Sequence, residues 1–203
     1  MVGALDPHTF MTNRWRRTIC WTPTWNKRRE GVGLEHLLLT ERAADSVVLA
    51  FDEERGPFRL AYRLTWDESW RLREAELVSM NEHAIRSLNL RVDRQGRWRH
   101  VDGHVIDELE GCIDIDIWPT PFTNSFPIRR EPMTVGERRQ FRMAWIFAPD
   151  LTVHAQPQAY TRLTDRLYLF ENLDGSDFKA QVSVDEDGIV LDYPGLFRRV
   201  EMV

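Results

Sequence analysis

The sequence predicts a mainly β protein, a meander, barrel or roll of antiparallel strands that contains one helix. Three observations carry this reading. Apolar residues alternate with polar or small ones at a period of two in segment after segment. Turn residues separate those segments at short, even spacing. One stretch alone, from Thr120 to about Arg130, reads as a substantial helix.

Taken in order, residues 1–16 carry no periodic pattern and read as a loose tail ahead of one domain spanning 17–203. Arg14, Arg16, Arg17, Lys27, Arg28 and Arg29 interleave with Trp15, Trp21 and Trp25. This basic cluster reads as a solvated terminal segment rather than a membrane contact. Strands are expected from Leu34 to Thr40 and from Ser46 to Phe51. Phe58, Leu60, Tyr62, Leu64 and Trp66 alternate in the next, and Asp67-Glu68-Ser69 turns the chain back into Trp70 to Val78. Leu88, Leu90 and Val92 lead into Asp93-Arg94-Gln95-Gly96, after which Trp98 opens another strand. Asp185-Glu186-Asp187-Gly188 repeats that turn: the Asp can bond the turn backbone and the Gly can take the left-handed conformation. Five more strands are expected over 141–147, 153–161, 167–171, 178–184 and 189–193, with 196–200 closing the sheet.

The stretch Gly111 to Arg130, GCIDIDIWPTPFTNSFPIRR, concentrates the unusual residues. Ile113, Ile115 and Ile117 alternate with Asp114 and Asp116, so one strand face takes isoleucines and the other carboxylates. Pro119 removes a ladder donor and should end the strand. Thr120-Pro121 is a helix start, a hydroxyl N-cap followed by proline at the first helical position. Phe122 and Phe126 then share a helix face, and Pro127 should kink or end the helix after about two turns.

Composition excludes several classes. A net charge of −5 gives no general nucleic-acid affinity. Cys20 and Cys112 fit no metal spacing and read as reduced, buried thiols. No stretch has membrane-spanning length and no signal peptide is evident, so the expectation is a cytoplasmic protein without stable membrane insertion. Phosphate-loop, GxSxG and HExxH patterns are missing. His100, Asp102 and His104 lack further ligands, so no metal and no cofactor is expected. Eight tryptophans hint at wide apolar surfaces with polar edges, or simply at a tryptophan-rich core.

The run from Asp114 through Thr120-Pro121-Phe122-Thr123-Asn124 to Arg130 resembles the signature of the "putative glycolipid-binding" family. Val184 to Arg198 resembles that family's end, and Leu34-Glu35-His36-Leu37 its start. The resemblance spans about Arg17 to Arg199. It implies a spiral β-roll, a long antiparallel sheet curled into a roll or partly open barrel around one central helix. The shape is similar to that of bacterial lipoprotein carriers. It also implies a bacterial source, a glycolipid or other amphipathic ligand, and a homodimer. Trp118, Phe122 and Phe126 would then line an apolar space. Asp116, Thr123 and Asn124, with Asp114 and Thr120 beside them, would meet sugar hydroxyls, and Arg129 or Arg130 a phosphate or carboxylate. Asp116 is expected to form a structural ion pair with Arg129 or Arg130. The leading expectation is non-enzymatic binding. The alternatives are a hydrolase acting through Asp114 or Asp116 and a structural homodimer with no small ligand.

Overall fold

The computed structural model describes residues 17–24 and 33–200. The basic cluster's Arg14, Arg16, Lys27, Arg28 and Arg29, with Trp15 and Trp25, lies outside them, as does the expected tail over 1–16. The strands in chain order are β1 (Arg17–Pro23), β2 (Leu34–Leu39), β3 (Ala43–Asp52), β4 (Gly56–Trp66), β5 (Leu72–Met80), β6 (Ile85–Val92), β7 (Trp98–His100), β8 (Asp114–Trp118), β9 (Arg138–Phe147), β10 (Thr152–Thr164), β11 (Leu167–Asn172), β12 (Lys179–Val184), β13 (Val190–Tyr193) and β14 (Phe197–Val200). All fourteen belong to one sheet, as the alternation predicts. Its order runs from β7 back to β1, then from β14 back to β8. First and last strands therefore meet in the middle, Cys20 opposite Val200 and Pro23 opposite Phe197. The sheet is not closed into a barrel, because β7 and β8 end it without pairing with each other.

One pair departs from the expected antiparallel pattern. β8 lies parallel to β9, Asp114 opposite Met143 and Trp118 opposite Phe147. Parallel neighbours cannot be joined by a tight turn; they need a crossover of a dozen or more residues, usually helical. Residues 119–137 make that crossover. The helix sits there because this is the parallel step of the sheet.

The crossover differs in detail from a helix starting at Thr120. The Thr120 Oγ1 accepts from the Phe122 N–H at 3.1 Å, so the hydroxyl does cap the turn. The chain then makes a 3₁₀ turn, Phe122–Asn124, and only afterwards the helix α1 (Ser125–Arg130). Pro127 thus falls in the first turn of α1, where its missing N–H forfeits no helical bond. Phe122 and Phe126 point into a large core with Leu60, Leu64, Trp66, Leu77 and Trp98, whereas Ile128 enters a second core with Tyr160, Phe170 and Val182. The short helix therefore joins two halves of the interior. Burying each Phe contributes roughly 1.5–3 kcal/mol.

Two expectations about exposure are corrected. Arg17 and Trp21 do not belong to a solvated segment. Trp21 is fully buried in β1 at the centre of the sheet, its indole N–H donating to the Val190 carbonyl at 2.9 Å, and Arg17 pairs with Asp185 at 2.6 Å. β1 escapes a period-two reading because Ile19, Cys20 and Trp21 are all buried, so both its faces are covered. On the carboxylate side of β8, Asp114 is as buried as Ile115 and Ile117, while Asp116 and Trp118 are half-buried.

The two Asp…Gly turns match their expectation. Asp93 Oδ1 accepts from the Gln95 and Arg97 N–H groups, and Asp185 Oδ1 from those of Asp187 and Ile189. Gly96 and Gly188 hold φ of +79° and +71°. The turn after β4 has the same Asp contacts at Asp67, but Trp70 holds the left-handed position, φ +58°. So β5 begins at Leu72 instead of Trp70. Such a residue costs on the order of 1–3 kcal/mol. Stacking on Trp66 at 4.8 Å, an edge contact with Phe126 and the Arg129 guanidinium 4.4 Å from its ring offset this.

Candidate functional site

A pocket of about 340 Å³ opens where β8 and the start of the crossover face β10, β11 and β13. One wall is polar. β10 places His154, Gln156 and Gln158 at every second position, and Asn172 at the end of β11 lies opposite Gln158 in register. Asp116 comes from β8 and Asp174 from the loop after β11. Aromatic rings line the pocket as well, Trp118 beside Asp116 on β8, Trp145 with its ring 4.8 Å from that of His154, Phe170 beside Asn172 on β11, and Phe178, Tyr193 and Phe197.

Asp114 and Asp116 have different surroundings. Asp114 takes a bidentate pair from Arg130, Nε at 2.9 Å and Nη2 at 2.6 Å, with both side chains almost fully buried. Burial pushes its carboxyl up and the guanidinium pulls it back. Among the described residues Asp116 meets no arginine. It accepts from Gln158 Nε2 at 2.7 Å and from the Thr123 hydroxyl at 3.1 Å. Burial raises its carboxyl above the usual range, and these two neutral donors offset only part of that. The expected pairing of Asp116 with Arg129 or Arg130 is therefore corrected: the ion pair belongs to Asp114. Two residues along a strand shift a side chain by about 6.6 Å, so one guanidinium cannot clamp both.

The remaining predicted residues divide. Asp116, Trp118, Thr120 and Asn124 line the pocket. Asn124 is held in place, its Oδ1 accepting from the Tyr160 hydroxyl at 2.8 Å and its Nδ2 donating to the Pro121 carbonyl at 3.2 Å. Thr123 lies behind the pocket wall, bridging Asp116 to the Ile117 N–H. Phe122 and Phe126 are fully buried against Trp66, away from the pocket. Arg129 turns to the Asp187 carbonyl and the Trp70 ring. With Arg130 committed to Asp114, neither arginine lines the pocket.

Sequence reasoning missed Trp145, Gln156, Gln158, Asn172, Asp174 and Glu35. The signal for the amides was present. His154-Ala-Gln156-Pro-Gln158 alternates, and amides on a strand face with 7% and 1% exposure imply a buried polar surface. Glu35, on β2, is 2% exposed. The hydroxyls of Tyr62, Ser46 and Thr120 all donate to its Oε1, at 2.6, 2.8 and 2.9 Å, while its Oε2 has no partner. Burial, partly offset by these hydroxyls, pushes this carboxyl up to about 7. Because Thr120 also lines the pocket, Glu35 supports its wall from behind.

Among the described residues no helix is long and apolar enough to cross a membrane. A comparison with curated proteins finds no match. Among solved structures, a DUF1089 family protein from Pseudomonas aeruginosa is 48% identical to this chain, with a TM-score of 0.82, over 85% of this chain and 95% of that one. A family model described as "Putative glycolipid-binding" matches residues 22–199. With the motif of β8 and its crossover, the Glu35 strand and the closing strands all inside that span, this chain belongs to the putative glycolipid-binding family.

Proposed function

We propose that this protein binds an amphipathic, glycolipid-like molecule without transforming it, the head group seated between β8 and β10. The observation that carries this reading is that the pocket is lined both by carboxylate and amide groups and by aromatic rings. Sugars offer hydroxyls to the first and C–H faces to the second, and an acyl chain continues along Phe178, Tyr193, Leu196 and Phe197. A volume of 340 Å³ is near the lower end of the roughly 300–1,000 Å³ usual for small-molecule sites, which suits a head group and the first part of a chain.

Native mass spectrometry of protein incubated with a total bacterial lipid extract, free of detergent, tests this. The expected result is a bound mass that disappears in Phe178→Ser. Phe178 is 37% exposed at the pocket mouth, so its replacement spares the core. No adduct at high micromolar lipid would overturn the proposal.

The hydrolase reading keeps one favourable observation: Asp116 lines the pocket, and no arginine among the described residues clamps it. Asp114, the other half of the expected acid–base pair, is locked by Arg130. Release of p-nitrophenol from aryl glycosides by the native protein but not by Asp116→Asn would favour this reading over binding alone.

A further inference from the structure

We propose, resting on the binding function above, that the pocket is built for an uncharged sugar head group and discriminates against phosphate and carboxylate groups. The first observation is charge. Among the described residues, the lining holds two carboxylates, Asp116 and Asp174, one histidine, His154, and neither lysine nor arginine. The arginines nearest in sequence to the motif are committed elsewhere, Arg130 to Asp114 and Arg129 to Asp187 and the Trp70 ring. An anion entering the pocket would approach like charge with no guanidinium among the described lining residues to neutralise it, in a partly desolvated space where such repulsion is strengthened.

The second observation is the direction of the hydrogen-bonding groups. Gln158 is 1% exposed and spends its amide N–H on Asp116 at 2.7 Å, while its Oε1 is buried with no partner. Gln156 and Asn172 also turn donors inward upon the wall: Gln156 Nε2 to Asn172 Oδ1 at 2.5 Å, and Asn172 Nδ2 to Asp174 Oδ2 at 2.7 Å. These three amides turn donors onto neighbouring wall oxygens, so the charged groups they leave in the lining are the Asp116 and Asp174 carboxylates, with ring N–H groups carried only by His154 and the tryptophans among the described lining residues. Oxygen acceptors need a ligand that brings O–H donors. A sugar does so; a phosphate dianion brings only acceptors.

Three probes with the same octyl chain test this, all below their micelle-forming concentrations: octyl β-glucoside, octyl phosphate and 1-octanol. Binding is read by the fluorescence of the pocket tryptophans, Trp118 and Trp145, and by calorimetry. The glucoside should bind about tenfold more tightly than either of the others. In Asp116→Asn, which keeps the shape but removes a charge, the gap between glucoside and phosphate should narrow. Asp174→Asn, on the exposed rim, should narrow it too and protects the test against a folding defect at Asp116. Phosphate binding as tight as the glucoside would overturn the discrimination and leave the binding function standing. Octanol binding as tight as the glucoside would overturn sugar recognition. Should none of the three bind while lipid extract also gives no adduct, the binding function itself falls.

Discussion

Arg130→Ala should lower the stability of this protein by about 3–5 kcal/mol, measured as the shift in urea denaturation midpoint at neutral pH. Asp114 and Arg130 are 1% and 5% exposed and bound through two short hydrogen bonds. Removing the guanidinium leaves a buried carboxylate without its hydrogen-bonded cation. Asp114→Ala should cost a similar amount for the opposite reason, a stranded guanidinium, though Glu131 also contacts Arg130 and would relieve part of the loss. Removing both, as Asp114→Leu with Arg130→Met, should be milder than the sum of the singles, because no unpaired charge remains. Asp116→Asn should be nearly neutral, since its partners are uncharged. An unchanged midpoint for Arg130→Ala would show that the pair contributes nothing to the fold.

The second large effect is a pH dependence assigned to Glu35. Its folded carboxyl is raised from an ordinary 4.5 to about 7 by burial. Between those values the folded protein holds a proton that the unfolded chain has released. Stability therefore falls as pH rises through this window and levels off above it. A shift of that size corresponds to about 3 kcal/mol. Around the carboxyl lie the Tyr62, Ser46 and Thr120 hydroxyls and the Cys20 thiol, whose own titration burial and Glu35 push up. No ion pair reaches Glu35 among the described residues. Glu35→Gln keeps an oxygen for the hydroxyls and removes the titration. The difference in stability between variant and native protein should grow by about 3 kcal/mol in favour of Gln from pH 4.5 to 7 and stay flat beyond. Equilibrium denaturation at half-unit steps of pH measures it, and a constant difference across that range would rule out a buried, proton-holding Glu35.

The strands and turns were legible because they are local. Period-two alternation located β3, β4 and β6, and an Asp followed three residues later by Gly marked the turns before β7 and β13. Trp118-Pro119 ended a strand and Thr120 capped the turn after it, as backbone chemistry dictates. What the sequence could not decide depends on partners far along the chain. β1 shows no alternation because Ile19, Cys20 and Trp21 are all buried, in the strand where the two chain ends meet. The choice between Asp114 and Asp116 as the arginine partner turned on the crossover that brings Arg130 back beside the start of β8. The pocket depends on β10 following β9 and β8 in the sheet, which brings Gln158 to Asp116, 42 residues away. Alternation tells which side of its own strand a residue faces. The parallel step at β8 and the register of β9 and β10 decide what it faces, and those are properties of the folded sheet alone.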